Sequence, residues 1–100
     1  MRSHSEVVVV GGGIVGSSIA HRLASTGVRV TVIERDSIGS HASGFALGLL
    51  NPTNETGNIE ALNHLSFNIH KQQLDVVQDE SGVDAHVLTM PHVELALEES

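Results

Sequence analysis

Cysteine is absent from this 100-residue sequence, as are tryptophan and tyrosine, and only two phenylalanines occur. Without cysteine there is no disulfide framework and no thiolate metal site, a composition compatible with a reducing compartment. Basic residues are scarce as well: five Lys and Arg face twelve Asp and Glu, for a formal charge of −7. A protein that grips a nucleic-acid backbone concentrates cations, so no nucleic-acid partner is expected. A nucleotide held by backbone N–H groups stays open, because those donors need no side-chain charge. Long apolar runs are also missing. The most hydrophobic stretch, Val7 to Val10, is cut at once by glycine, far short of the roughly 20 residues that cross a membrane. The segment before it carries only Arg2 as a Lys or Arg and does not read as a secretory signal. The expectation is a cytoplasmic protein without a membrane span.

What the sequence does have is a hydrophobic content of 40% arranged in changing periods. Val7 to Val10 form a continuous β-branched run, the pattern of a strand in a parallel sheet. From Ile14 the period becomes helical, with Ile14, Ile19, Ala20, Leu23 and Ala24 recurring at helical spacing and Gly27 placed as the residue that ends the helix. Val28, Val30, Val32 and Ile33 then read as a second strand, which makes residues 6–35 a βαβ unit of an α/β fold. Residues 36–57 are rich in Gly, Ser, Ala, Asn and Thr, a loop longer than a compact domain carries without a functional reason. Residues 58–100 predict one helix over 59–80, striped by Leu62, Leu65, Ile69, Leu74 and Val77. Asn58 or Thr56 is its candidate cap, and short strands are expected at 86–89 and 92–97. A parallel sheet needs more strands than these, so the chain reads as the opening part of a larger protein and needs the rest of that protein to complete its fold.

Three successive glycines follow the first strand for a chemical reason. In Gly11-x-Gly13-x-x-Gly16, Gly11 permits the tight turn, Gly13 lets backbone approach a pyrophosphate, and Gly16 lets helix and strand pack closely. The helix N-terminus behind them offers unpaired N–H donors and a partial positive charge. Glu34 closes the second strand, where an acid accepts hydrogen bonds from ribose hydroxyls and disfavours a 2′-phosphate. Strand, glycines, helix, strand and acid together point to a dinucleotide. NAD and FAD both remain open on these residues alone, and so does a non-catalytic module that only binds a dinucleotide.

The stretch "VVVVGGGIVGSSIAHRLASTGVRVTVIER", residues 7–35, continued by "DSIGSHASGFALGLLNP", resembles the FAD-dependent oxidoreductases of the D-amino-acid oxidase and glycine oxidase type. Members of that family follow the acid with a Gly-x-x-Ala-Ser segment and a further Gly, which Gly39, Ala42, Ser43 and Gly48 match. The resemblance implies that this chain is the N-terminal part of a Rossmann-like FAD-binding domain, without the substrate domain. It implies FAD as cofactor and oxidation of an amine or amino acid by hydride transfer to the flavin. It also implies that Gly11, Gly13, Ile14, Val15 and Gly16 meet the pyrophosphate, that Glu34 and Arg35 hold the adenosine end, and that the loop with Ala42 and Ser43 runs along the cofactor. Leu47, Gly48 and Leu49 would lie near the flavin ring. The rival reading is an NAD-dependent dehydrogenase.

No catalytic residue can be named, since none of the five basic residues is assignable to a substrate carboxylate. His41 is the one candidate for side-chain chemistry. Some relatives carry a His-Ala-x-Gly segment with the histidine joined covalently to flavin, and His41, Ala42 and Gly44 fit it. Ser40 stands where those relatives have an aromatic residue, and the other reading of His41 is a loop histidine with ordinary contacts. His64 and His70 fall on different faces of their helix, so no metal site is expected from them.

Overall fold

Four β-branched residues in succession favour extended backbone, and Val7–Val10 form β1. The computed structural model describes residues 4–52 and 58–93. After β1 the glycine turn leads into helix α1, Ile14–Ser25. Thr26 caps α1 and Gly27 follows at φ +88°, a conformation open to glycine because it has no Cβ. The chain then enters β2, Val30–Ile33, which pairs parallel with β1 in the register Val7↔Val30 to Val10↔Ile33. The βαβ reading of residues 6–35 matches this element order, with β2 starting two residues later than the valine pattern implied.

The chain divides into two units, residues 1–49 and 50–100. In the first, α1 lies against one face of the two-stranded sheet, and Val7 and Val9 on that face are half-buried. On the other face Val8 and Val10 are 53% and 83% exposed. A strand pattern meant for burial on two faces therefore finds cover on one. The described residues include no fully buried hydrophobic side chain, so this sheet has a packed side but no closed core.

The second unit is built on α2, Glu60–Ser81, ended by Gly82 at φ +70°. Leu62, Leu65 and Ile69 form the expected stripe and are about half exposed. Ile59 is the residue at the N-cap position, and no side chain caps the helix there; Asn58 is not the cap, and Thr56 lies outside the described residues. The strand expected at 86–89 does not form. His86 takes φ +50° and its N–H donates to Asp84 Oδ1 at 2.8 Å, a local turn that breaks the extended run. The segment is instead tied to α2 by Ala85 N–H donating to Gln78 Oε1 at 2.8 Å. Of the strand expected at 92–97, His92 and Val93 are not extended in a sheet and the remainder lies outside the described residues. No helix among the described residues is long and apolar enough to cross a membrane.

Candidate functional site

Three segments of the first unit meet at the start of α1: the glycine turn, the residues after β2, and the loop beyond them. Gly11 carries the turn at φ +103°, and its N–H donates to Ile33 O at 2.8 Å, which extends the ladder between β1 and β2 by one bond. Gly13 is the N-cap of α1 in extended backbone. Gly16 sits so close to the turn that a Cβ there would run into the Gly11 carbonyl oxygen and approach Val9 Cγ1 to 3.4 Å. The assignment of Gly16 to close packing thus has a direct steric cause.

Gly12 was not singled out by the Gly-x-Gly-x-x-Gly spacing, where it is an unspecified position, yet it is the one buried residue among those described. Its N–H donates to Glu34 Oε2 at 2.7 Å and its carbonyl accepts from Gly39 N–H at 3.0 Å. A Cβ at Gly12 would come within 2.5 Å of Ile38 Cδ1 and 3.3 Å of Glu34 Oε2. The middle glycine is what lets acid and loop close onto the turn. The sequence signal was the unbroken run of three glycines.

Glu34 is half-buried, and its other oxygen, Oε1, accepts from the Asp36 N–H at 2.9 Å. The Asp36 N–H first, and then the Gly12 N–H, hold its carboxyl below the usual range, since a carboxylate that accepts N–H bonds is favoured in its charged form. Each oxygen keeps a lone-pair direction for another donor, such as a ribose hydroxyl. Arg35 points outward, 83% exposed, with Nε on Asp36 Oδ2 at 3.3 Å.

The loop returns to the helix start through Ser43, whose Oγ accepts the Ile14 N–H at 2.8 Å. The first N–H groups of an α-helix have no partner inside it, so Ser43 serves as a capping oxygen brought from 29 residues away. Val15 and Gly16 follow in the same first turn. Gly13, Glu34, Gly39, His41, Ala42 and Ser43 are among the residues lining a cleft of about 160 Å³. That is below the roughly 300–1,000 Å³ of ligand clefts, so it holds only part of a dinucleotide. Leu47 and Leu49, 92% and 61% exposed, and Gly48 at φ +77° lie in a stretch without regular structure and do not line this cleft.

His41 turns its Nε2 to Asp36 Oδ2 at 2.6 Å. Glu34, Asp36 and His41 each place one oxygen or nitrogen within 4.8 Å of the others. These atoms are already engaged with one another or with backbone N–H groups.

The cradle fits a dinucleotide. Gly12, Gly13 and Gly16 stand where a Cβ would meet backbone, Glu34 or the loop, a Cβ on Gly13 being 3.0 Å from Ser43 Oγ. Helix N–H groups face the turn and an ionised acid stands beside it. Comparison with known proteins agrees with this geometry. The profile of the DAO family, described as "FAD dependent oxidoreductase", matches residues 6–99. A glycine oxidase from Bacillus licheniformis is 33% identical over 87 residues, which cover 84% of this chain and 24% of that protein. A tRNA 5-methylaminomethyl-2-thiouridine biosynthesis bifunctional protein from Chromohalobacter salexigens is 49% identical over 49 residues, 49% of this chain and 7% of that protein. The crystal structure of glycine oxidase from Bacillus cereus superposes with a TM-score of 0.73 at 38% identity, covering 81% of this chain and 23% of that one. The chain thus spans about a quarter of the length of the glycine oxidases it matches. With the turn, the acid and the loop found together and the family profile running across nearly all of it, this chain belongs to the FAD dependent oxidoreductase family, whose cofactor is FAD.

Proposed function

We propose that this chain is the cofactor-binding segment of a flavoenzyme that oxidises the C–N bond of an amine or amino acid. The observation that carries the reading is the convergence of Gly12, Glu34 and Ser43 on the first turn of α1. When bound, FAD supplies a two-electron acceptor for the substrate C–N bond, and the resulting imine hydrolyses. The chain's own residues bind and orient that cofactor. Gly11, Gly13, Ile14, Val15 and Gly16 form the turn and the first helical turn against the pyrophosphate; the Ile14 N–H is held by Ser43, which leaves the N–H groups of Val15 and Gly16 to face the phosphates. Glu34, with Arg35 beside it, takes the adenosine end, and its carboxylate accepts from the ribose hydroxyls. Gly39, Ala42 and Ser43 line the path of the cofactor along the loop. Leu47, Gly48 and Leu49 are the candidates for contact with the flavin ring.

The amine substrate rests on the names of the relatives: glycine in one, a methylaminomethyl group in the other. The glycine oxidase is about four times as long as this chain and the bifunctional protein about seven times, so the groups that select a substrate are assigned to polypeptide beyond these 100 residues. A cytoplasmic location is part of the proposal, and the cysteine-free composition is compatible with it. The test is anaerobic titration of the flavin-loaded holoprotein with glycine and with N-methylated glycine. Loss of the visible flavin absorbance on addition of either amine is the expected result. A flavin that no amine or amino acid reduces would overturn the substrate class and leave the cofactor assignment standing.

A further inference from the structure

The loop after Glu34 is held to the glycine turn at two places, by Gly39 N–H on Gly12 O at 3.0 Å and by Ser43 Oγ accepting the Ile14 N–H at 2.8 Å. Between them lies His41, and both parts of this residue act on the loop. Its carbonyl accepts the N–H groups of Gly44 and Phe45 at 2.9 and 3.2 Å, which forms the turn that brings Ser43 back to α1. Its imidazole reaches back five residues, and against a carboxylate acceptor Nε2 must be the donor, to Asp36 Oδ2 at 2.6 Å. The same Asp36 donates its backbone N–H to Glu34 Oε1 at 2.9 Å. A continuous chain of hydrogen bonds therefore runs from the helix turn through Gly12, Glu34 and Asp36 to His41. His41 and Glu34 both line the cleft, whereas Asp36 does not. Asp36 and Glu34 are two carboxylates close enough to repel each other. The imidazole and the exposed Arg35 both meet the same Asp36 oxygen.

We propose that the Asp36–His41 pair is a clip that holds Glu34 and the loop in position for the adenosine half of FAD, with His41 a positioning residue bound to Asp36 rather than to the flavin. The proposal rests on the assignment of Glu34 to the cofactor made above. The clip acts at the end of the site farthest from the redox chemistry, so its removal changes affinity for the adenosine half and leaves the flavin electronics alone.

The experiment compares FAD and ADP binding to apoprotein prepared from the holoprotein, as wild type, His41→Ala, His41→Gln, Asp36→Ala and the His41→Ala, Asp36→Ala double variant. ADP is the probe for the adenosine end because it has no flavin. His41→Ala is expected to weaken FAD and ADP by the same factor, about threefold, the scale of an exposed ion pair. Asp36→Ala should do the same, and the double variant should be no worse than either single one, since both remove one interaction. His41→Gln, which retains an N–H donor of similar reach, should recover most of the loss. The side chain of His41 is 59% exposed, so these changes leave packing intact. Unchanged FAD affinity in His41→Ala overturns the proposal. So does FAD weakened with ADP unaffected, which would put the residue at the flavin end, or a glutamine variant as weak as alanine. Acid precipitation of the wild-type holoprotein gives an independent check: colour released to the supernatant agrees with the clip, and colour retained on the protein would show covalent attachment and overturn it. If the wild-type apoprotein binds no FAD at all, the failure belongs to the cofactor assignment and not to the clip.

Discussion

A Cβ at Gly16 has nowhere to go, since the Gly11 carbonyl occupies its position. Gly16→Val should therefore part α1 from β1 and abolish FAD retention, measured as flavin per purified chain. Gly12 makes a finer case, because its nearest obstacle is the end of the flexible Ile38 side chain. Gly12→Val has two branches to place beside both Ile38 and Glu34, so FAD affinity should fall while the protein still folds; an affinity equal to wild type would show that Glu34 does not depend on that close approach. Glu34 carries a pH signature. Its carboxyl is held below the usual range by the N–H groups of Asp36 and Gly12, so the ionised form is the one the fold favours. A group with a lowered folded pKa contributes fully above its unfolded value, about 4.3, and its contribution is lost as pH falls through the lowered one. FAD retention should thus be flat from about pH 8 to about pH 5 as far as Glu34 governs it. Glu34→Gln should lower FAD affinity by about tenfold throughout that range, because an acceptor for the ribose is lost at every pH where the acid is ionised. Affinity unchanged by this substitution would remove the acid from the ribose.

At the scale of elements, the loop is attached to α1 by a cap that comes from far along the chain. Ser43→Ala removes the acceptor of the Ile14 N–H and should cost about 1 kcal/mol of stability, as loss of a helix N-cap does, measured by denaturant unfolding of the apoprotein. What could be read in advance at this scale follows from how local the signal is. β1, α1 and β2 were legible because β-branched runs and a 3.6-residue period act within a few residues, and Gly27 and Gly82 mark the two helix ends by needing no Cβ at positive φ. The acid at the end of β2 was legible from its distance to the glycines. The cap by Ser43 could be assigned to the cofactor path but not to Ile14, since a hydrogen bond across 29 residues leaves no periodic trace. The same holds for the bond from His41 to Asp36 and for the role of Gly12, which depend on how the loop folds back. The strand expected at 86–89 failed for the opposite reason: its apolar pattern is real, but a strand needs a partner, and the Asp84 side chain captures the His86 N–H in a turn first.

For the whole molecule, what matters is that the described residues bury no hydrophobic side chain completely, while Val8 and Val10 stand open on one face of the sheet. Burial of apolar surface is the main force that holds a fold together, and a small chain has little of it to spare. The 100-residue chain alone should be aggregation-prone, with rapid amide exchange across Val7 to Val10. A monodisperse monomer with slow exchange there would mean that the half-covered sheet is sufficient. Tight binding of a ligand would oppose this by favouring the folded state, which ties stability to the central claim that the glycine turn, Glu34 and the Ser43 loop form a seat for FAD. The most direct test of that claim is the visible absorption spectrum of the purified holoprotein together with the identity of the cofactor it releases on denaturation. The account predicts an oxidised-flavin spectrum and one FAD per chain. A colourless holoprotein that binds NAD and cannot be loaded with FAD would contradict it.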